Sequence, residues 1–245
     1  MPIRRYRLIV LLAAISAALV VPPAVASATD FDERIVSDDT VLTEDHHGWI
    51  RIWGEGATLD CAGYAVIGDG SHHGIYVSAD NVTVRNCDIS GAVSGVFTII
   101  GVHNLRLEHN MSHGNSGNGY GLFFATDVTA VHNHGYSNGE SGIKVRSTDD
   151  SAFEFNKLYD NGAFGIYLAG DSVSNSLYKN KVTGNDTGIF ADPAATDNLV
   201  IANKAHGNAS WGIEDETDGV LNTYADNTCR FDGLGTSSPL GLCDR

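Results

Sequence analysis

Residues 142–215 decide the fold of this chain. They read GIKVRSTDDSAFEFNKLYDNGAF, GIYLAGDSVSNSLYKNKVTGNDT, GIFADPAATDNLVIANKAHGNASW and then GIED. Each unit begins with Gly-Ile and carries an asparagine near its middle, at Asn156, Asn180 and Asn203, so that the asparagine recurs at an almost constant step of two dozen residues or one fewer. A fixed period of this size is typical of a solenoid, in which each repeat stacks on the next.

The same asparagine column continues in both directions along the chain. The register predicts that His132, His109 and Asn86 lie upstream in this column and Asn227 downstream, again at the same step. A column of glycines with a less regular spacing opens the units. Its members are Gly74, Gly95, Gly121, Gly142, Gly165, Gly188 and Gly212. The unbroken period indicates one repeat domain.

Each unit contains three short apolar stretches separated by turn residues. In the first quoted unit these are Ile143 with Val145, Phe153 with Phe155, and Leu158. Alternate residues of such a strand face solvent, and Gly, Asn, Asp and Ser suit the corners between strands. The repeat therefore predicts an all-β parallel β-helix of about seven turns, with three short strands per turn. A leucine-rich repeat has a similar period, but it requires leucine at the majority of its apolar positions. In this chain Ile, Val, Phe and Tyr also occupy those positions, which argues against that fold.

The first 28 residues have the pattern of a secretory signal peptide. Arg4, Arg5 and Arg7 precede an apolar run, and small residues follow it. An uncleaved membrane anchor is the alternative, although the run is shorter than the roughly 20 residues that a spanning helix needs. We therefore predict a bacterial protein that is secreted, periplasmic or held at the cell surface. The predicted segments are a signal peptide (1–28), an N-terminal cap region (29–57), the β-helix (58–228) and a disulfide-closed tail (229–245).

The chain is acidic, with a net charge of −15 that becomes −18 when a signal peptide with three arginines and no acid is removed. This charge argues against nucleic acid and anionic membrane as partners, because phosphate groups bind basic faces. It is compatible with calcium, although the acidic run Glu214-Asp215-Glu216 lacks the spacing of a defined calcium loop. No other cofactor is indicated, and the sequence predicts no oligomeric state.

Four cysteines occur in the chain. Cys61 and Cys87 lie about one turn apart, whereas Cys229 and Cys243 lie close together at the C-terminal end. An even number of cysteines in an exported chain indicates disulfides. We therefore expect Cys61 to pair with Cys87 and Cys229 to pair with Cys243, with buried free thiols as the alternative.

The outward position of the first strand predicts a column of mostly aromatic residues. Rings stacked about 4.8 Å apart suit the faces of sugars. An exposed apolar stripe of this size is typical of a binding surface, and stacking that only stabilises the solenoid is the alternative. The predicted column is Tyr76, Phe97, Phe123, Lys144, Tyr167, Phe190 and Glu214.

Two further clusters suggest chemistry. Lys144 and Arg146 share an outward face, where they could hold a uronate carboxylate, and Lys144 could abstract the neighbouring proton to start β-elimination or epimerisation. Salt bridges to nearby aspartates are the alternative role for this pair. His109, His132 and His134 could meet around a metal ion, or they could replace asparagine as corner hydrogen-bonding groups.

The stretches TLDCAGYAVIG (58–68), GIYV (74–77) and VTVRNC (82–87) resemble the entry into right-handed parallel β-helix repeat proteins of the pectin-lyase-like superfamily. The tail NTC (227–229) and SSPLGLC (237–243) is similar to that of secreted bacterial members. The resemblance covers about residues 57–243 and implies a right-handed coil. It also implies a polysaccharide partner, since the superfamily includes polysaccharide lyases, polygalacturonases and C5-epimerases.

The catalytic signatures of these enzymes are mostly missing. Where the epimerases carry Asp-Pro-His-Asp, Asp192-Pro193 is followed by Ala194-Ala195. We therefore predict a protein that binds a polysaccharide, such as an acidic or cell-surface glycan, without catalysis. A uronate lyase or C5-epimerase is the first alternative. A periplasmic metal-associated protein, like the copper-associated member of the superfamily, is the second.

Overall fold

The computed structural model describes residues 31–98, 101–217 and 221–244. The predicted signal peptide lies outside these ranges. Within them the chain forms strands and no helix, and hence no helix that could cross a membrane. In chain order the strands β1–β29 are Asp32–Val36, Thr40–Val41, His46–Ile52, Thr58–Asp60, Ala65–Ile67, Ile75–Val77, Thr83–Arg85, Asp88–Ser90, Val96–Thr98, Val102–His103, Arg106–Glu108, Met111–His113, Tyr120–Phe123, Ala125–Thr126, Thr129–Val131, His134–Tyr136, Ile143–Arg146, Ala152–Glu154, Lys157–Tyr159, Phe164–Ala169, Ser176–Tyr178, Lys181–Thr183, Thr187–Ala191, Leu199–Ile201, Lys204–His206, Trp211–Asp215, Thr223–Ala225, Thr228–Arg230 and Gly235–Ser238.

These strands coil into a parallel β-helix with three faces, which confirms the predicted fold. Equivalent strands of successive turns pair in register, so that Ile143 lies opposite Ile166 and Ile166 opposite Ile189. In the described ranges the third face contains eight strands, which corresponds to about eight turns rather than seven. The first face consists of β1, β3, β6, β9, β13, β17, β20, β23, β26 and β29, the second of β2, β4, β7, β11, β15, β18, β21, β24 and β27, and the third of β5, β8, β12, β16, β19, β22, β25 and β28.

Strands of all three faces contribute apolar side chains to one continuous core. Ile143 and Val145 from the first face, Phe153 from the second and Leu158 from the third are fully buried. Phe155 was expected to point inward with Phe153, but it is 38% exposed and has a left-handed φ of 53°. The second-face strand ends one residue before Phe155, so the inward–outward alternation stops at that corner.

The asparagine ladder is present, but upstream of Asn156 its register differs by one residue from the prediction. Asn110 and Asn133, rather than His109 and His132, are the buried members of the column. Asn133 Oδ1 accepts the backbone N–H of Asn110 at 3.0 Å, and Asn156 Oδ1 accepts that of Asn133 at 2.8 Å. The two histidines lie at the exposed corner just before, with φ of 55° and 56°. Both registers have the same step, so the period alone does not distinguish them.

Two more ladders satisfy backbone groups at the other corners. Buried polar groups are costly unless they are hydrogen-bonded, and these side chains accept the backbone N–H of the equivalent residue one turn earlier. Stacked polar side chains therefore stabilise all three corners of the coil. The members are Asn115, Asn138, Asn161, Asn185, Asn208 and Asp232 in one ladder and Ser151, Asn175, Asn198 and Asn222 in the other.

The glycine column marks a corner that has no room for a side chain. A Cβ built on Gly142 would lie 2.8 Å from the carbonyl oxygen of Gly165 and 3.0 Å from Leu158 Cβ. The prediction that Gly121 belongs to this column is wrong. Gly119 occupies the equivalent corner, where a Cβ would lie 2.7 Å from the Gly142 carbonyl oxygen. Gly121 instead pairs with Phe97 and Lys144 in the middle of the first face.

Both predicted disulfides are present. Cys61 is bonded to Cys87, and Cys229 to Cys243. Cys87 precedes the asparagine ladder, since its backbone N–H donates to Asn110 Oδ1 at 3.1 Å. The strands also continue beyond residues 58–228: β3 pairs with β6 upstream, and β29 pairs with β26 downstream.

Candidate functional site

The first face presents an outward column of side chains whose register follows directly from the strand pairing. Tyr76 lies opposite Phe97, and Lys144 opposite Tyr167. The structure corrects one predicted member, since Phe123 lies two residues further along its strand and pairs with Arg146. The observed column is Tyr76, Phe97, Gly121, Lys144, Tyr167, Phe190 and Glu214.

Phe123 nevertheless belongs to the same aromatic surface. Because Gly121 has no side chain, the Phe97 ring leans over it, and a Cβ at Gly121 would lie 3.0 Å from Phe97 Cδ2. The Phe123 ring meets Phe97 edge-on, with centroids 5.1 Å apart. Lys144 Nζ lies 6.0 Å from the Phe123 centroid and 5.2 Å from that of Tyr167. We call the surface formed by Tyr76, Phe97, Phe123, Lys144, Tyr167 and Phe190 the aromatic row.

The N-terminal end of the aromatic row opens into a cleft of about 190 Å³. The Trp49 and His72 rings stack 3.9 Å apart, and the His73 ring stacks 3.9 Å from Phe97. Trp49, His72 and His73 were not predicted, because Trp49 precedes the first recognised repeat and the histidines lie in a loop. The lining residues are Trp49, Arg51, Ser71, His72, His73 and Tyr76.

The polar groups of this cleft are only partly paired. Arg51 lies 5.6 Å above the Tyr76 ring and 3.3 Å from a carboxylate oxygen of Glu33. His73 Nδ1 is buried without a hydrogen-bond partner among the described residues. Burial is the main cause that lowers the pKa of His73, and neighbouring His72 lowers it further. The cleft therefore combines aromatic walls with a guanidinium and a neutral imidazole.

A second aromatic group lies on the other side of Lys144. Phe164 stacks on Phe190 with centroids 4.8 Å apart, and Tyr167 meets Phe190 edge-on at 5.2 Å. The Tyr167 hydroxyl donates to Asp192 Oδ2 at 3.3 Å. Burial and the Asp192 charge raise the pKa of Tyr167, so its phenol remains a hydrogen-bond donor. Phe164 was not predicted, because it precedes the corner glycine rather than following it.

Lys144 and Arg146 both project from β17 on the outer surface. Lys144 Nζ lies 3.9 Å from Glu140 Oε2, so the ammonium is engaged by one carboxylate and two rings. Arg146 is exposed. The hydrogen bond from Ser147 is the main cause that lowers the pKa of Asp171, and the Arg146 charge adds a smaller effect. This arrangement gives the middle of the aromatic row two positive charges in an acidic protein.

The C-terminal end of the column is acidic. Glu214 follows Phe190 in register and is only partly exposed. Burial is the main cause that raises the pKa of Glu214, and the Glu216 charge raises it further, while a hydrogen bond from Thr187 opposes the change. A ligand group beside Glu214 is therefore more favourable when it is neutral or cationic than when it is a carboxylate.

The three histidines predicted as metal ligands do not form a cluster. His109 and His132 stack on each other at an exposed corner, with ring centroids 5.2 Å apart. His134 lies on the third face, paired with Met111 and Lys157. In the ranges that the structure describes, no three His, Cys, Asp or Glu side chains are placed to hold one metal ion. The corner stack, extended by Phe155 at 5.2 Å from His132, is a structural alternative to metal binding.

The fold and the aromatic row define a parallel β-helix whose first face is lined with aromatic rings. The chain belongs to the right-handed β-helix family: the profile described as "Right handed beta helix region" matches residues 66–233. No curated protein matches the chain by sequence.

Solved structures share this fold at low sequence identity. The periplasmic alginate epimerase AlgG is 17% identical with a TM-score of 0.55, over 78% of this chain and 48% of that one. A pectate lyase is 13% identical with a TM-score of 0.53, over 76% of this chain and 57% of that one. A lacto-N-biosidase from Eubacterium ramulus is 15% identical with a TM-score of 0.54, over 84% of this chain and 43% of that one. This chain thus spans about half the length of these proteins, and the likeness shows the fold alone.

Proposed function

We propose that this chain is an exported protein that binds a polysaccharide along the aromatic row without cleaving it. The single observation that carries the proposal is the row itself. Its rings follow one another at centroid distances of 5.1 to 6.1 Å on either side of Lys144. Sugars present flat apolar faces and polar edges, which suit such rings and their polar neighbours. Two disulfides support export, because they persist in oxidising compartments.

The charges along the row favour an acidic glycan over its central part. Lys144 and Arg146 can hold a carboxylate there, Arg146 in a bidentate manner. Arg51 offers a further guanidinium in the N-terminal cleft. The neighbouring enzymes on this fold include, by their names, an alginate epimerase and a pectate lyase, and both names refer to uronate polymers. A uronate-containing glycan is therefore the first ligand to test.

The decisive experiment is a glycan array followed by titration calorimetry with oligogalacturonate, oligomannuronate and a neutral cello-oligosaccharide. Tyr167→Ala should weaken binding by roughly tenfold, because an aromatic contact contributes about 1 kcal/mol beyond its buried area. Tyr167→Phe keeps the ring and should bind almost as well. Tyr178→Ala, on the second face, is the matched control. Equal affinities for Tyr167→Ala and Tyr178→Ala, or no bound glycan, would contradict the proposal.

A uronate lyase or C5-epimerase that uses Lys144 and Arg146 is the second candidate. Its supporting observation is that both side chains project beside Tyr167 on the aromatic row. A general base must be neutral to take a proton, whereas Lys144 is engaged by Glu140 and two rings as a cation. Incubation with pectate and alginate, followed by ultraviolet absorbance and proton NMR, tests this candidate. An unsaturated or C5-inverted product would replace the non-catalytic proposal.

A further inference from the structure

A file of lysines runs along the third face, away from the aromatic row. Lys157 lies opposite Lys181 and Lys181 opposite Lys204, so the three occupy one outward column on adjacent strands. Neighbouring strands are about 4.8 Å apart, and like charges directly opposite each other are destabilising. All three side chains are exposed, and none lies within 4.0 Å of a carboxylate oxygen among the described residues.

The lack of pairing is unexpected in so acidic a protein. The chain contains 30 Asp and Glu residues against 15 Lys and Arg. It has five lysines, and four of them, Lys157, Lys179, Lys181 and Lys204, lie on this face or at its edge. Arg230 extends the same face one turn further, opposite His206. Most of the lysines are therefore concentrated on one surface, whereas Arg51, Arg85 and Arg106 lie elsewhere and pair with acids.

A flat aromatic platform lies in the neighbouring outward column. The Tyr136 and Tyr159 rings are parallel within 1°, with centroids 4.8 Å apart, and the His113 ring stacks on Tyr136 at 4.7 Å. Tyr159 and Lys157 are on the same strand, two residues apart, so both point outward from β19. In chain order the platform ends on β19, where the lysine file begins, so the two columns overlap at that strand and continue in opposite directions from it.

An open groove of about 560 Å³ borders this platform. Gly114, Ser137 and Asp160 line it, and each directly follows a member of the aromatic stack in the chain. Because these residues have small side chains or left-handed φ values, the groove remains open along the corner between the third and first faces. A chain-like ligand could therefore lie along the coil axis beside the tyrosines.

We propose that the third face is a second binding site, for a linear polyuronate whose carboxylates contact Lys157, Lys181 and Lys204 and whose sugar rings stack on Tyr136 and Tyr159. A uronate polymer carries one carboxylate per sugar, so a chain that lies along the coil axis can bring carboxylates to lysines that recur at the strand-to-strand step of about 4.8 Å. Its carboxylates would relieve the repulsion within the lysine file. The net charge of −15 opposes a phosphate polymer and a uronate polymer alike, so the choice of polyuronate rests on the proposed function, which already assigns this chain a uronate-containing glycan.

The proposal is tested with the full chain and the triple variant Lys157→Gln, Lys181→Gln and Lys204→Gln. In calorimetry with polygalacturonate, the third-face binding step should be roughly tenfold weaker in this variant, because three exposed ion pairs are lost, whereas the first-face step should be unchanged. Added salt should weaken binding to the wild type more than binding to the variant. A neutral cello-oligosaccharide should bind both proteins equally.

The first-face variant Tyr167→Ala keeps this proposal separable from the proposed function. If the lysine variant binds polygalacturonate as the wild type does, the third-face site is excluded, even where Tyr167→Ala loses affinity. If the lysine variant loses affinity while Tyr167→Ala does not, the third-face site is supported and the first face fails. Tighter binding of polyadenylate than of polygalacturonate to the wild type, abolished in the lysine variant, would overturn the polyuronate assignment in favour of nucleic acid.

Discussion

Asn180 Oδ1 accepts two hydrogen bonds from Asn156, one from the backbone N–H at 2.9 Å and one from the side-chain amide at 3.0 Å. The same Asn156 amide donates to the carbonyl oxygen of Ala130 at 2.9 Å. One fully buried side chain therefore joins three successive turns. Both amide hydrogens and the amide oxygen are used, so no other side chain of this size can replace the asparagine.

Asn156→Asp should destabilise the fold. The new carboxylate oxygen would face the Ala130 carbonyl, where the wild type has a donor, and a buried charge would remain unpaired. We expect a loss of about 3 kcal/mol in the free energy of unfolding, measured by urea denaturation. The control Asn104→Asp makes the same change at an exposed corner whose φ of 54° aspartate tolerates, and it should cost less than about 1 kcal/mol. Equal losses would argue against the ladder as a source of stability.

Asp232→Asn should stabilise the protein at neutral pH. Asp232 Oδ1 accepts two bonds from Asn208 at 2.9 Å, but its buried Oδ2 has no partner among the described residues. In the same ladder the Asn185 amide donates to the Leu158 carbonyl one turn earlier at 3.1 Å. An asparagine at position 232 could repeat that bond and remove the half-buried charge. We expect a gain of about 1–2 kcal/mol at pH 7.

The pH dependence of this gain follows from the pKa of Asp232, which burial raises above its usual 3.8. A raised folded-state pKa means that protonation favours the folded state, so the wild type is penalised at high pH and not at low pH. The difference in Tm between Asp232→Asn and the wild type should therefore be largest near neutrality and shrink in acid. A difference that grows as the pH falls would contradict this sign.

Gly142→Ala should cost about 2–3 kcal/mol, because its Cβ would meet the Gly165 carbonyl and Leu158 at about 3 Å in a corner that cannot expand. Gly207→Ala is the informative control. Gly207 has a φ of 67° and open space around its Cβ position, so only the conformational cost of about 1 kcal/mol applies. Shifts of the urea midpoint at constant slope measure both effects. Equal shifts would show that steric exclusion is not what requires glycine at position 142.

His73→Phe should make stability less dependent on pH. Burial lowers the pKa of His73, so the folded state favours the neutral ring. This contribution is fully present above the unfolded pKa of about 6.5 and is lost as the pH falls through the lower folded pKa. Phenylalanine keeps the stack on Phe97 and breaks no hydrogen bond at Nδ1. When the pH falls from 7.5 to 5, the Tm of the variant should decrease by roughly 1–3 °C less than the Tm of the wild type.

His46 and His134 also have pKa values lowered by burial, so part of the pH dependence should remain in His73→Phe. Identical slopes for the variant and the wild type would mean that His73 does not titrate differently in the folded state. Thermal melts followed by circular dichroism across this pH range measure the comparison.

The sequence predicted the coil, the strand count per turn and both disulfides, because these depend on period and composition. It failed where two registers fit equally well. His109 and Asn110 are neighbours, so shifting the ladder by one residue preserves the spacing. At Gly119-Tyr120-Gly121 the shift is two residues, which also preserves the alternation of buried and exposed positions. Because of this second ambiguity, Phe123 was predicted at the column position that Gly121 occupies.

The missed site residues have a different cause. Trp49 precedes the recognised repeats and His72 lies in the loop just before Gly74, and their stack depends on how that loop folds onto the first face. Phe164 belongs to the repeat but precedes the glycine that marks its start. A period reveals which residues stack on equivalent residues one turn away, but it does not reveal which loop side chains lean onto a face.

The ladder amides have an evolutionary consequence. Each ladder amide forms hydrogen bonds only with the adjacent turns. A duplicated segment one repeat long could therefore be inserted into the coil without disturbing the strand pairing on either side. Every such duplication would lengthen the aromatic row and the lysine file by one position each. Internal gene duplication therefore offers these chains a direct route to longer or shorter ligands while the folding of the remaining turns is unchanged.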